Sequence, residues 1–445
     1  MNIFRKLAYS FGGIATSLSY QAFATYILFF YVDYMKLSAG LAAIAMVIYG
    51  IWNALNDPLA GYISDRTRTR WGRRIPYIMF GAVPFGFIYF LMWSPIFSAK
   101  DMVFLFIYFL LFICLFDGFY SFVILNWITL FPEMFPSLKE RTEVNSYRQF
   151  FGVIGLIVGM GLPPLIYSTL GFSWMGVIFG SLIVFALFVA LLGAREKKEF
   201  SLDKALGVRQ ALKATLKNRS FLTFVISNLF IQYAFTMVPA MIPFYAKYVL
   251  NVGPRGTSLI LVTAFVVALP LLFLWARVAA KIGAKPVYMT AIACFTLFLL
   301  PFLFINSLVS AVVTAAFLGM ALGGVIVLSD VVIADVIDED ELATGSRREG
   351  AYFGVNAFVC RFAIALEAAS LGSVFALTRY DPHIFLQPKS FLAGLRFLIA
   401  GLPMLAMVAA FIIMIFYPLF GKKLEGIRER LEVLHREKAE KRVPI

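Results

Sequence analysis

Long apolar runs, each closed by a short polar or charged turn, repeat along the whole chain. Each run is long enough to cross a hydrocarbon core of ~30 Å, which takes ~20 helical residues. In lipid every backbone N–H and C=O must find a partner within the protein, so a spanning segment is a helix or part of a closed barrel. The runs are too long and too continuously apolar for the ~10-residue alternating strands of a barrel. The pattern therefore predicts an all-α membrane protein. Twelve spans are expected, at about 8–35, 38–63, 77–97, 102–131, 147–169, 173–194, 220–248, 256–276, 286–305, 309–336, 350–377 and 394–420. The first run is too long for the apolar region of a signal peptide and lacks a small-residue cleavage site, so no cleavable leader is expected.

The polar interruptions give the organisation. The longest, Arg195 to Arg219, separates six spans from six. The expected layout is an N-terminal six-helix bundle (1–194), a cytoplasmic central loop (195–219), a C-terminal bundle (220–420) and a cytoplasmic amphipathic tail (421–445). The loops repeat weakly between halves. GYISDRTRTRWGRR after the second span matches WARVAAKIGAKP after the eighth in placing a basic turn with a glycine there. PEMFPSLKERTEVNSYRQ and ADVIDEDELATGSRREG both run from acidic to basic into the next helix. Weak repetition between halves, with substrate at their interface, marks many carriers. In the tail Leu424, Ile427, Leu431 and Leu434 recur at helical spacing among charges, which predicts an amphipathic helix lying on the lipid surface.

Composition agrees: 61% of the 445 residues are hydrophobic and 14% charged, against ~45–50% and ~25% in soluble domains. Mean hydropathy is +0.85. Most of the 39 Lys and Arg residues lie in the N-terminus, the even-numbered loops and the tail. Positive charge stays cytoplasmic, so both termini are expected inside, in a cytoplasmic-type (inner or plasma) membrane. The net charge of +14 then reports topology and contact with the bilayer, and no nucleic-acid partner is expected. Cys114, Cys294 and Cys360 all fall in apolar spans, so a disulfide framework is not expected. His383 and His435 lie outside the spans, which disfavours a histidine proton relay or a histidine-rich metal site. Walker A, G-x-S-x-G and H-E-x-x-H sequences are absent. Neither enzymatic activity nor a cofactor is expected.

Charges and amides inside spans need a reason, since a mid-membrane charge costs ~2.5–3.5 kcal/mol even on the lenient insertion scale. Asn53, Asn56 and Asp57 stand at i, i+3 and i+4, so one helix face presents two amides and a carboxylate. Such oxygens suit Na+, and a carboxylate in a low-dielectric site also takes a proton. The competing reading is a polar cluster that only holds helices together. Ser121, four residues after Asp117, is placed to complete a cation site. Candidate substrate ligands are Ser17, Tyr20 and Gln21 on the first span, Asp117 and Asn126 on the fourth, Arg148 opening the fifth, Asn228 and Gln232 on the seventh, and Asn356 and Arg361 on the eleventh. Neutral hydrogen-bonding groups beside aromatics suit a polyol. The alternative for each is interhelical hydrogen bonding, worth ~0.6 kcal/mol on average. Arg148 either pairs with a loop acid such as Glu143 or points into a cavity, and Gly152, Gly155 and Gly159 predict close helix packing. Asp65, Arg66, Arg73, Arg141, Asp335 and Arg347 are expected to latch the cytoplasmic helix ends in one access state.

Four segments, FFYVDYMKLS, NALNDPLAGYISDRTRTRWGRRIPY, PEMFPSLKERTEVNSYRQF and IADVIDEDELATGSRREGAYFGVNAF, fall in order through both halves. Together they resemble the glycoside–pentoside–hexuronide:cation symporters of the major facilitator superfamily. The resemblance implies the major facilitator fold: twelve transmembrane helices in two pseudo-symmetric six-helix bundles working by alternating access. It also implies a sugar site at the midplane and a cation site on the second and fourth helices. Asn56 and Asp57 match the second-helix cation ligands, Ser121 a fourth-helix hydroxyl ligand, Arg148 a fifth-helix arginine near the sugar, and Arg361 the position of an eleventh-helix lysine. Three departures matter. Asn53 replaces a carboxylate, which weakens a Na+ site and favours proton coupling through Asp57. Ser17 stands where galactoside carriers have a sugar-binding aspartate, and the fourth-helix partner acid is missing near Ile124, so a galactoside is disfavoured.

The expected function is symport of a sugar, glycoside or hexuronide coupled to Na+ or H+, by a monomer, with no metal beyond a coupling Na+. Two alternatives stand beside it: a cation-coupled carrier of lysophospholipids or other amphiphiles, which the same branch of the superfamily includes, and a non-transporting sensor or scaffold with a transporter fold.

Overall fold

Helices carry almost all of the described chain, as they must where hydrocarbon offers no partner for backbone N–H and C=O groups. The computed structural model describes residues 2–135, 138–196, 215, 217–344, 348–384 and 386–440. The principal helices are α1 (Gly12–Leu28), α2 (Ala39–Arg66), α3 (Ile75–Met92), α4 (Met102–Tyr120), α5 (Leu138–Gly161) and α6 (Phe172–Gly193). They continue with α7 (Arg219–Tyr248), α8 (Pro254–Ile282), α9 (Ala284–Leu299), α10 (Leu308–Thr344), α11 (Glu349–Leu377), α12 (Leu402–Ile415) and a tail helix α13 (Lys422–Glu440). Among the described residues, eleven helical stretches are long and apolar enough to cross a membrane. The first expected span is present too, but in pieces: a short helix Ile3–Ser10, then α1, then a π-helical end Phe29–Tyr34. This is a multi-pass membrane protein.

Two other spans contain π-helical turns, Ser121–Leu125 continuing α4 and Phe397–Gly401 leading into α12. A π turn shifts the facing of every later side chain and is common at functional sites. The one after α4 begins at Ser121, a predicted ion ligand.

Packing divides the chain into two compact units. One holds Met1–Lys204, Pro239–Val262 and Ile364–Leu395; the other holds Ala205–Val238, Thr263–Ala363 and Arg396–Ile445. The units do not coincide with the linear halves. The end of α7 and the latter part of α11 join the first unit because Lys247, Tyr248 and Tyr380 all gather on Asp33 at the end of the first span.

Within the first unit α1 and α5 touch backbone to backbone. A Cβ on Gly155 would lie 2.7 Å from the Ile14 carbonyl oxygen, and one on Gly159 would lie 2.9 Å from that of Leu18. The glycines after Arg148 thus do what their spacing predicts, as small residues do between membrane helices. In the second unit Gly323 plays this part between α10 and α8, where a Cβ would come 2.8 Å from the Ala268 carbonyl oxygen. The tail differs from expectation. α13 forms, but Leu424, Ile427 and Leu431 are buried by protein rather than left for lipid, and Lys423 pairs with Glu339 of α10 at 3.0 Å. The acidic end of α10 gives the tail's basic face a partner, and that fixes its apolar stripe inward. Leu434 lies outside the described side chains.

Candidate functional site

The Asn53–Asn56–Asp57 face of α2 meets α4, and the contact is made almost entirely of polar atoms. Asn53 Nδ2 donates to Asp117 Oδ1 at 2.5 Å. Asn56 Nδ2 donates to Asp117 Oδ2 at 3.0 Å, to the Asp117 carbonyl at 2.8 Å and to Ser121 Oγ at 2.9 Å. The Ser121 hydroxyl donates in turn to Asp57 Oδ1, and Tyr49 reaches Asp117 Oδ1 at 3.5 Å. Asn53, Asn56, Asp117 and Ser121 are all buried, and Asp57 is half-buried. The carbonyl oxygen of the Asn56 side chain is buried with no hydrogen-bond partner among the described residues. A buried acceptor left over beside two carboxylates calls for an explanation.

This geometry changes one count. From sequence the cation site has a single carboxylate, Asp57, and Asp117 sits with the substrate ligands. The structure brings Asp117 into the same cluster, joined to Asp57 through Ser121 and Asn56. Asn53 therefore faces a carboxylate on the neighbouring helix.

The substrate candidates fall in two groups, one in each unit. In the first unit Ser17 and Gln21 lie along the α1–α5 contact, near Gly152 and Gly159, and the Tyr20 ring stands 5.8 Å from that of Tyr120. The Arg148 guanidinium lies 4.6 Å from the Trp127 ring centre and 4.4 Å from that of Phe131, a cation–π arrangement that steadies a desolvated charge. Its Nε is buried with no hydrogen-bond partner among the described residues. Of the two fates expected for Arg148, pairing with Glu143 is not the one seen: Glu143 accepts from Lys6 at 2.8 Å. Asn126 is fully buried and bonds to the Phe122 carbonyl one turn back at 2.8 Å, leaving its own Oδ1 without a partner among the described residues. In the second unit Asn228 donates to Asn356 Oδ1 at 2.9 Å and to the Cys360 sulfur at 3.2 Å. The Asn228 Oδ1 is likewise buried and unmatched among the described residues. Gln232 and Arg361 are half-buried.

Of the expected gate residues, Arg73 pairs with Glu196 at 3.5 Å. Glu196 also accepts from the backbone N–H groups of Arg73 and Arg74, at 2.9 and 3.0 Å, at the start of α3. That fit needs Gly72, whose φ of +108° and lack of a Cβ leave room for the carboxylate. Arg66 stacks on Tyr62 at 3.9 Å, and Asp335 is buried in α10. The side chains of Asp65, Arg141 and Arg347 lie outside the described residues. Beside Arg347, Arg348 grips Asp340 with two guanidinium nitrogens, which holds that guanidinium above its ordinary pKa.

Sequence reasoning passed over one cluster altogether. Asp33, 3% exposed, accepts from Lys247 at 2.5 Å, from Tyr380 at 2.8 Å and from Tyr248. Next to it Lys36 donates to the Pro382 carbonyl, and burial lowers the pKa of that ammonium. The segment containing Asp33 was visible as part of the resemblance. Its partners, more than two hundred residues away, were not.

Residues 8–420 match the family described as MFS/sugar transport protein. A putative glycoside/cation symporter of Escherichia coli is 25% identical over 99% of this chain and 96% of its own length. A sodium-dependent lysophosphatidylcholine symporter of Danio rerio is 23% identical over 99% of this chain and 90% of its own. The crystal structure of a D-xylose–proton symporter superposes with a TM-score of 0.68 at 14% identity, covering 94% of this chain and 98% of that one.

Proposed function

Because the chain belongs to the MFS/sugar transport protein family, we propose that it is a secondary active transporter that carries a sugar, glycoside or hexuronide together with Na+ or H+ by alternating access. The observation that carries this reading is the Asp57–Asp117 cluster. Two carboxylates in one low-dielectric site favour uptake of a cation. In the arrangement seen, the Asn53 and Asn56 amide N–H groups face Asp117 and stand in for positive charge. Turning the Asn56 amide over would present its spare oxygen instead, beside Asp57, Asp117 and Ser121. Asp117 is thereby moved from the substrate set to the ion set. With two carboxylates, the argument from Asn53 against Na+ loses its force, and both ions remain in play.

Substrate recognition falls to Ser17, Tyr20, Gln21, Asn126 and Arg148 in one unit and to Asn228, Gln232, Asn356 and Arg361 in the other. The spare buried polar atoms on Asn126, Arg148 and Asn228 suit hydroxyls or a carboxylate of a saccharide. Ion and substrate favour the same occluded state, so each raises the affinity of the other by the same factor. Lys6–Glu143, Arg73–Glu196 and Arg348–Asp340 act as latches at helix ends, with Asp33, Lys247, Tyr248 and Tyr380 as a latch at the far end of the first span. The protein works as a monomer with both termini in the cytoplasm. A lysolipid or other amphiphile is the second reading, favoured by the relative from Danio rerio of similar identity.

The test is binding to purified protein across glycosides, hexuronides and lysolipids, with and without Na+ at two pH values. Saccharide binding that Na+ or pH strengthens is the expected result. Binding of lysolipids alone moves the protein to the second reading. Ion-dependent ligand binding without counterflow in liposomes would make it a sensor with a transporter fold.

A further inference from the structure

Behind the cation cluster, on the other side of the α2–α4 seam, α2, α3 and α4 enclose a groove of about 560 Å3. Trp52, Tyr77, Phe80, Leu115, Phe119 and Phe122 form its walls. The polar atoms there already have partners. Trp52 Nε1 donates to the Cys114 carbonyl at 2.9 Å, and the Thr67 and Tyr77 hydroxyls bond each other at 2.6 Å. A saccharide would find nothing to bond, whereas a hydrocarbon chain fits. The groove is open at its rim, where Phe80 and Leu115 are 60% and 36% exposed. At Gly118 an added Cβ would meet only Trp52, at 3.8 Å, so the floor has space above it.

One end of the groove runs into the loop after α2. Thr67 belongs to both, and the Trp71 ring packs edge-on against Phe80 at 5.6 Å. Around this mouth Arg66, Arg68 and Arg70 are exposed. Arg66 lies over Tyr62 and Arg70 lies 4.1 Å over Trp71. Arg68 Nη1 donates to the Thr67 carbonyl at 3.1 Å. Arg73, by contrast, is buried against Glu196. Arginine forks match phosphate oxygens, and an exposed tryptophan suits the headgroup level.

We propose that this groove is a binding site for an anionic phospholipid of the surrounding leaflet, with an acyl chain between α2, α3 and α4 and its phosphate between Arg66 and Arg70. The charge of the mouth selects the occupant: a zwitterionic lipid fills the apolar part equally well and carries the same phosphate, but its quaternary ammonium is repelled by the guanidiniums, so it gains less. The seated chain packs against the same helix pair that holds the ion cluster, with Trp52 next to Asn53 and Gly118 next to Asp117.

The test is lipid retention by the full-length protein, purified with equal amounts of phosphatidylglycerol and phosphatidylcholine and measured by native mass spectrometry. Phosphatidylglycerol should be retained in more than tenfold excess. Each basic side chain near a membrane surface contributes roughly fivefold, so the double variant Arg66→Gln/Arg70→Gln should lose about twenty-five-fold in retention and with it the preference. Leu115→Trp, which fills the rim from an exposed position and so spares the fold, should lower retention several-fold with the loop intact. Equal retention of the two lipids by the unmodified protein overturns the proposal, as does a preference that survives the double variant. Retention unaffected by Leu115→Trp overturns the seat between the helices.

Discussion

Two buried carboxylate clusters in the same unit are answered in opposite ways. Asp33 is met by a lysine and two tyrosine hydroxyls, so a fixed ammonium neutralises it. Asp57 and Asp117 accept from amides, a hydroxyl and a phenol, and the Asn56 amide oxygen beside them has no partner among the described residues. The first cluster is complete as it stands and joins the end of the first span, the end of α7 and the turn after α11. The second gathers two carboxylates around a buried amide oxygen that is unmatched among the described residues, and on that oxygen the proposed ion site rests. A carboxylate in a membrane span is therefore read best by what neutralises it, since depth alone puts both in one class.

The comparison breaks most visibly at Lys247. Lys247→Met leaves Asp33 buried without its cation and should destabilise the protein by about 3–5 kcal/mol, while Asp33→Asn/Lys247→Met should recover most of that loss. Thermal unfolding in detergent measures both. A double variant no better than the single one would mean that Asp33 and Lys247 are not coupled. Transport by both variants should still require the coupling ion.

Asn53→Asp sharpens the contrast from the other side. A further carboxylate beside Asp117 should lower the Na+ concentration for half-maximal substrate binding by roughly tenfold. An unchanged Na+ response would place the ion elsewhere. Ser121→Ala removes one hydroxyl bridging Asp57 to Asn56, and its effect should be smaller. Loss of one such bond, at about 0.5–1.5 kcal/mol, raises the half-saturating ion concentration by roughly two- to tenfold. Asn228→Ala should act on substrate only, weakening its binding a few-fold with the ion response intact. A shifted ion response in that variant would tie the second unit to the ion site.

Much of this was legible from the chain itself. The spans follow from apolar runs that only helices can carry through lipid. Asn53, Asn56 and Asp57 stood out because helical spacing puts costly groups on one face, and Ser121 because a hydroxyl follows Asp117 by one turn. Periodicity within one helix is silent on which face of a second helix it meets, so the role of Asp117 needed the α2–α4 pairing. Asp33 escaped for two reasons: it sits at a span end, where a charge looks cheap, and Lys247 and Tyr380 are remote in sequence. The partner of Arg73 is hidden from the sequence, because Glu196 reaches it only through the turn that Gly72 permits. The sequence of the tail shows an apolar stripe but not the protein surface that covers it, so a lipid-facing helix is expected where the structure buries Leu424, Ile427 and Leu431.

The central claim is that the Asp57–Asp117 cluster holds the coupling ion. Gradient-driven accumulation and counterflow, measured side by side in proteoliposomes with Asp57→Asn, test it most directly. The account predicts that accumulation driven by Na+ or H+ is lost while counterflow persists. Full concentrative uptake by Asp57→Asn would contradict it.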